Sequence, residues 1–128
     1  MSHSIAIDGP AGAGKSTIAK LLAKKMNYIY VDTGAMYRAM AVHFSKNGIN
    51  PDDEHAIDSA VKDVDINIVY SEGVQQVILN GENVTGLLRT EETGRMASKT
   101  SKYSSVRSKL VDLQRELARK TDVIMDGR

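Results

Sequence analysis

The 128 residues contain no cysteine and no tryptophan, one phenylalanine and two prolines. Without cysteine there is no disulfide framework, no thiolate metal site and no cysteine nucleophile, a composition that suits a reducing cytoplasm. With so few aromatics the core must be aliphatic, built from Ile, Val, Leu and six Met. Neither sign of charge is in excess: 17 Lys and Arg face 16 Asp and Glu, a formal net charge of +1. Bulk electrostatics therefore gives no case for a nucleic-acid or anionic-membrane partner. No apolar run approaches the roughly 18 residues needed to span a bilayer, and no secretory apolar segment follows Met1-Ser2-His3, so the expected location is the cytoplasm. What is present is ordinary for a folded domain: 41% hydrophobic and 26% charged residues, which excludes wholesale disorder.

Along the chain, Ile5-Ala6-Ile7-Asp8 is a short apolar run ending in Asp, and GPAGAGKST follows from Gly9 to Thr17. The period then changes. Ile18, Leu21, Leu22 and Met26 fall at i, i+3, i+4 and i+8, which predicts one apolar helix face, with Lys20, Lys24 and Lys25 near the end where cations favour the helix dipole. Tyr28-Ile29-Tyr30-Val31 is β-branched and aromatic and reads as a second strand, again ending in an acid, Asp32. Thr33-Gly34 opens a helix carrying Tyr37, Met40 and Phe44, with Gly48 as its stop. Strand, helix, strand and helix in succession argue for parallel βαβ units.

The middle of the chain differs in kind. Asn50-Pro51-Asp52-Asp53-Glu54 is a turn and an acidic start to a short helix that runs to about Lys62. From Asp65 the pattern alternates, with Ile66, Ile68 and Tyr70 on one face and Asp65 and Asn67 on the other. Ser71-Glu72-Gly73 turns, Gln75 to Leu79 runs back, and Asn80-Gly81 is the strongest hairpin signal in the chain. Residues 65–84 therefore read as a small antiparallel meander set into an α/β chain, with an ordinary edge hairpin as the alternative. After Gly86 come polar, helix-compatible stretches, then a helix from about Ser104 to Arg119 in which Val106, Leu110, Leu113 and Leu117 repeat at i, i+4, i+7 and i+11. Asp122-Val123-Ile124-Met125-Asp126-Gly127-Arg128 reads as a third strand that again ends in Asp. Three core strands fall short of the usual number, about four to six, and a domain seldom stops on a buried strand, so an incomplete domain is expected.

The pattern G-x-x-x-x-G-K-[ST] is met by Gly9, Gly14, Lys15 and Ser16, directly after a strand and before a helix, the context in which the motif carries meaning. A polyphosphate needs donors that approach closely, and glycines clear side chains from the backbone N–H groups. A helix N-terminus adds further N–H groups and the positive end of its dipole. Gly9, Pro10, Ala11, Gly12, Ala13, Gly14, Lys15, Ser16 and Thr17 are thus the candidate phosphate-binding residues. Lys15 would reach the β- and γ-phosphates, the Ser16 hydroxyl would ligate Mg²⁺, and Thr17 would lie near the α-phosphate. A chance match to a Gly-rich turn arises in roughly one chain in a few hundred of this length at average composition.

Such a cradle names a donor and leaves the acceptor open. No N-K-x-D run specifies guanine. Instead DTGAMYR, Asp32 to Arg38, follows the second strand. Asp32 falls at the carboxyl edge of the sheet, where open α/β folds place ligands. Thr33 is the expected N-cap, making this helix start a second anion site. Arg38 is about one and a half turns in and long enough to fold back. On these residues alone, Thr33 as a mere cap and Arg38 as a solvated charge stay open. His3, His43 and His55 show no spacing for a metal or a triad, and Tyr37 with Met40 reads as core.

In combination, IDGPAGAGKST, YVDTGAMYR, NGENVTGLLRT and VIMDGR, in order from residue 5 to residue 128, closely resemble the bacterial cytidylate kinases. The P-loop is shared by many families, whereas DTGAMYR, N-x-E-x-V-T and D-G-R are far more specific. The resemblance implies a P-loop nucleoside-monophosphate-kinase-like parallel sheet with flanking helices and a small antiparallel insert. The corresponding division is 1–64 as the first part of the core, 65–97 as the monophosphate-binding insert, and 98–128 as a core helix with the third strand. It implies ATP as donor, Mg²⁺ as metal, and CMP, with dCMP, as acceptor. Lys15 and Arg128 correspond to catalytic residues; Thr33, Arg38, Ser98, Arg107 and Arg128 correspond to CMP-binding ones. Arg38 and Arg128 would hold the acceptor phosphate, bidentate contacts keeping it aligned for attack. Ser98 and Arg107 would bond the cytosine edge. Asp32 would orient the acceptor or the metal's water shell, and Asp126 is a Walker-B-like acid. The family continues D-G-R with a further Asp, and its lid arginines lie beyond it. The expectation is therefore an N-terminal part, a monomer when full-length but prone to non-native association, and nearly inactive alone. The rival readings are a P-loop kinase for shikimate, AMP or dTMP, and a non-catalytic nucleotide-binding or assembly module.

Overall fold

The computed structural model describes residues 4–7, 29–71, 74–120 and 123–126, together with Leu21, Ala23, Lys25 and Met26. The elements are β1 (Ser4–Ile7), β2 (Ile29–Asp32), α1 (Thr33–Lys46), α2 (Glu54–Ala60) with a 3₁₀ turn at Val61–Asp63, β3 (Ile66–Ser71), β4 (Val74–Leu79), β5 (Glu82–Asn83), a 3₁₀ turn at Thr85–Leu87, α3 (Glu91–Thr100), α4 (Ser104–Lys120) and β6 (Val123–Asp126). The fold is mixed α/β, and Leu21, Ala23, Lys25 and Met26 are helical as their spacing predicts.

β1, β6 and β2 form a parallel sheet in that order, so the last strand of the chain lies between the first two. The register pairs Ile7 with Asp126 and Asp126 with Asp32, which brings the carboxyl ends of all three strands to one edge. The short apolar strands suit a parallel sheet, whose faces are covered by helices. Around the earlier helix the apolar-face expectation needs correcting. Leu21 is 64% and Met26 39% exposed, and the small Ala23 takes the buried side at 1%. Periodicity reports which side chains share a face; whether a neighbour covers that face is a tertiary matter. Ile18 and Leu22 lie outside the described side chains.

The second sheet is the antiparallel meander, in the order β3-β4-β5. Asn80 and Gly81 take φ values of 49° and 84°, the paired left-handed conformations of a type I′ turn, which match the twist of a two-residue hairpin. Asn80 is also held from outside the turn: its N–H donates to the Asp65 carbonyl at 2.8 Å and its Oδ1 accepts from the Asp65 N–H at 2.7 Å. Ile66, Ile68, Val77 and Leu79 point inward and are buried. They join Val31 and Val123 of the parallel sheet, Met36, Met40 and Phe44 of α1, and Leu110 of α4 in one contiguous core.

α1 buries Met36 and every residue from Ala39 through Phe44, as expected of a helix packed on several sides. Its C-terminal end is tied to α2 and to the meander. The His43 Nε2–H donates to the Ala60 carbonyl at 3.2 Å, a carbonyl being able only to accept. The Lys46 ammonium donates to both Glu82 carboxylate oxygens, at 2.8 and 2.7 Å. α4 buries the stripe Val106, Leu110, Leu113 and Leu117. Among the described residues no helix is long and apolar enough to cross a membrane.

Candidate functional site

The site begins at the β2–α1 junction. Asp32 ends the strand with extended backbone (φ −102°, ψ 118°), and Thr33 is already helical. Asp32, not Thr33, is therefore the N-cap: its Oδ1 accepts from the Gly34 N–H at 2.9 Å. This corrects the expectation for Thr33: the strand ends at Asp32 as read, and the helix begins at Thr33 itself, one residue earlier than a Thr33 cap implies, so the last non-helical residue is Asp32. The turn is tight. A Cβ on Gly34 would sit 3.3 Å from Asp32 Oδ1, so a larger residue would crowd the capping carboxylate.

Beyond the cap, α1 packs against α3, and between them opens a groove of about 600 Å³ lined by Asp32, Gly34, Tyr37 and Arg38 on one side and Gly94, Ala97, Ser98 and Ser101 on the other. The α3 side is a stripe of small residues at helical spacing, which keeps that wall low and leaves room for a ligand. Arg38 is exposed, and among the described residues no carboxylate pairs with its guanidinium. The Ser101 hydroxyl donates to the Ser98 carbonyl at 3.2 Å, whereas the Ser98 hydroxyl has no partner among the described residues. Asp32, Arg38 and Ser98, far apart in sequence, are thus brought to one concavity at the carboxyl edge of the parallel sheet.

The other candidates are placed as follows. Thr33 sits in the first turn of α1, half-buried and off the groove lining. Arg107 is exposed on α4, where its Nη2 donates to the Lys102 carbonyl at 3.4 Å. Its guanidinium is anchored one residue along the chain from groove-lining Ser101, and it is not itself in the lining. Asp126 is paired in register with Asp32, with its side chain outside the described set. Gly9, Pro10, Ala11, Gly12, Ala13, Gly14, Lys15, Ser16, Thr17 and Arg128 lie outside the described residues. Among the described residues no three His, Cys, Asp or Glu side chains cluster to hold a metal.

Gly94 and Ser101 line the groove although nothing local singles them out in the sequence, where Tyr37 reads as core. Tyr37 does pack against the core, and it also lines the groove. The signal for the two small residues is the spacing G-x-x-A-S-x-x-S from Gly94 to Ser101, a small-residue face that means little until a partner helix is set opposite it.

Chemically the groove offers a planar cation whose fork of N–H donors matches a phosphate or carboxylate. It adds a serine hydroxyl able to donate or accept, an aromatic wall, and an acid at the mouth. That set suits a small anionic ligand with a polar ring better than an apolar one.

Comparison with known proteins agrees with this chemistry. The family model described as cytidylate kinase matches residues 5–128. The cytidylate kinase of Caldicellulosiruptor bescii is 52% identical over 125 residues, covering 98% of this chain and 55% of that protein. That of Leuconostoc mesenteroides is 50% identical over 127 residues, covering 99% of this chain and 57% of its own. That of Carboxydothermus hydrogenoformans is 46% identical over 124 residues, covering 97% and 56% respectively. The chain thus spans about half the length of the curated relatives it matches. A family match over nearly the whole sequence, with about half of all positions identical to proteins of that name, places the chain in the cytidylate kinase family.

Proposed function

We propose that the protein carrying this chain transfers the γ-phosphoryl group of ATP to CMP, and to dCMP, and that the α1–α3 groove holds the acceptor. The observation that carries this is the placing of Arg38, which has no carboxylate partner among the described residues, across from Ser98 in a groove at the carboxyl edge of the parallel sheet, in a chain of this family. On this reading the fold is the P-loop nucleoside-monophosphate-kinase type. Residues 1–64 and 98–128 contribute to its core, and 65–97 contribute to the monophosphate-binding region.

In the reaction an oxygen of the CMP phosphate forms a bond to the γ-phosphorus as the bond to the bridging oxygen of ADP breaks. Such transfers depend on alignment and charge neutralisation, with little covalent chemistry for the protein to do. Arg38 and Arg128 hold the acceptor phosphate in line, each guanidinium able to engage two of its oxygens. Ser98 and Arg107 bond the cytosine edge, and Thr33 lies beside the phosphate. Asp32 caps α1 through Oδ1 and has its remaining lone pairs for orienting the acceptor, with Asp126 beside it on the neighbouring strand. Gly9 to Thr17 would hold the ATP phosphates, with Lys15 bearing on the β- and γ-oxygens. Ser16 would hold Mg²⁺, which neutralises polyphosphate charge.

A coupled ADP-release assay of the intact gene product with CMP, dCMP, AMP, dTMP and shikimate in parallel tests the reading. The expected order puts CMP first and dCMP next. Faster turnover with AMP, dTMP or shikimate overturns the acceptor assignment, and ATP binding without transfer to any of them favours a nucleotide-binding module.

A further inference from the structure

β2 is an outer strand: among the described residues it pairs only with β6. In a parallel ladder successive residues point their N–H and C=O groups to opposite sides of the strand, so an outer strand presents alternate residues to an empty edge. Tyr30 is such a residue, and at 8% exposure it is shielded from water. Buried backbone donors and acceptors must find partners. Those of Tyr30 find both in one side chain: its N–H donates to Gln75 Oε1 at 3.0 Å, and Gln75 Nε2 donates to its carbonyl. The orientation of the carboxamide follows from chemistry, since an N–H only donates and a carbonyl only accepts. Gln75 is in β4, the middle strand of the other sheet. A single side-chain amide thus takes the place of a neighbouring strand's peptide group.

We infer that Gln75 is a positioning residue: its carboxamide clamps the edge of β2 that faces away from β6 at Tyr30, two residues before Asp32, and so sets the junction from which Asp32 and Arg38 enter the groove. Asp32 is the last residue of the clamped strand and the N-cap of α1, and Arg38 follows on the same helix. A shift of β2 along that edge therefore moves the cap and the guanidinium together. The Asn80–Asp65 and Lys46–Glu82 contacts hold the far end of the meander, whereas Gln75 bonds the backbone of β2 itself. This inference rests on the acceptor-site reading above for its functional half and stands independently of it for its structural half.

The test uses Gln75→Met, which keeps length and removes both bonds, and Gln75→Glu, which keeps the acceptor and loses the donor in its ionised form. The measurements are amide hydrogen exchange of Tyr30 and Gly34, normalised to intrinsic rates, and steady-state kinetics of the intact gene product. Gln75→Met is expected to speed exchange at Tyr30 at least tenfold and at Gly34 by a smaller factor. It should raise the KM for CMP about tenfold, as misplacement of a binding group does, with the KM for ATP within about twofold. Gln75→Glu should fall between Gln75→Met and the parent on each readout. If folded Gln75→Met leaves Tyr30 exchange at the parent rate, the clamp is overturned. If exchange rises but the two KM values stay put or move together, the positioning role is overturned while the kinase reading survives. A parent protein without CMP turnover would instead sink the kinase reading, and the exchange data alone would then decide the clamp.

Discussion

Asp32 serves two ends at once, and two substitutions separate them. Its Oδ1 caps α1 by accepting from the Gly34 N–H at 2.9 Å, and its charge lies at the positive end of that helix. Asp32→Ala removes both. Loss of a cap costs about 0.5–2 kcal/mol, and loss of an acid at a helix N-terminus about 0.3–1 kcal/mol. Together they predict a destabilisation of about 0.8–3 kcal/mol. Asp32→Asn keeps an oxygen that caps equally well and removes only the charge, so it should cost no more than about 1 kcal/mol. For a domain of this size 1 kcal/mol is worth about 3–5 °C in Tm, so the two variants should melt several degrees apart when followed by circular dichroism of the 128-residue chain. Turnover should rank differently. If the carboxylate orients the acceptor, Asp32→Asn loses rate despite its near-normal stability. Equal destabilisation by Asn and Ala would refute the capping argument, and full activity of a stable Asp32→Asn would refute the role of the charge.

Arg38→Ala should raise the KM for CMP by about ten- to a hundredfold, the value of charge-assisted hydrogen bonds to a phosphate, with the KM for ATP little changed. Arg38→Lys should recover only part of this, because an ammonium lacks the planar fork; steady-state kinetics with each substrate varied would show it, and full rescue by Lys would argue against bidentate contact. Lys15→Ala should lower kcat by orders of magnitude, and near-normal turnover would contradict its assignment to the transferring phosphate. Gly81→Ala isolates backbone strain. Its φ is 84° and a Cβ there would meet nothing within 4 Å, so the whole expected cost, about 1–2 kcal/mol in urea unfolding, comes from the left-handed conformation.

Much of the local architecture was legible. The spacing of Val106, Leu110, Leu113 and Leu117 predicted a helix from about Ser104 to Arg119, and the helix found is Ser104–Lys120 with those four residues buried. Asn80-Gly81 predicted a hairpin and forms one in the left-handed conformations the turn demands. The errors have identifiable sources. Thr33 was expected to cap because Ser and Thr precede helices so often, but Asp32 caps equally well and stands one residue earlier. Leu21 and Met26 obeyed a helical period and are nonetheless exposed. Tyr37 looked like core and proved to face two ways, packing inward while lining the groove.

Periodicity, caps and turn chemistry depend on groups a few residues apart, so the amino-acid order alone specified the elements, the meander and the parallel βαβ start. The insertion of β6 between β1 and β2, the meeting of Arg38 with Ser98, and the grip of Gln75 on Tyr30 were decided only in three dimensions. Each joins residues with no local signal for the other: a serine on a polar helix and a glutamine in a short strand resemble many of their kind. They acquire roles only when hydrophobic burial of α1 and α4 in the shared core fixes which helix faces which, and which backbone edge is left needing a partner.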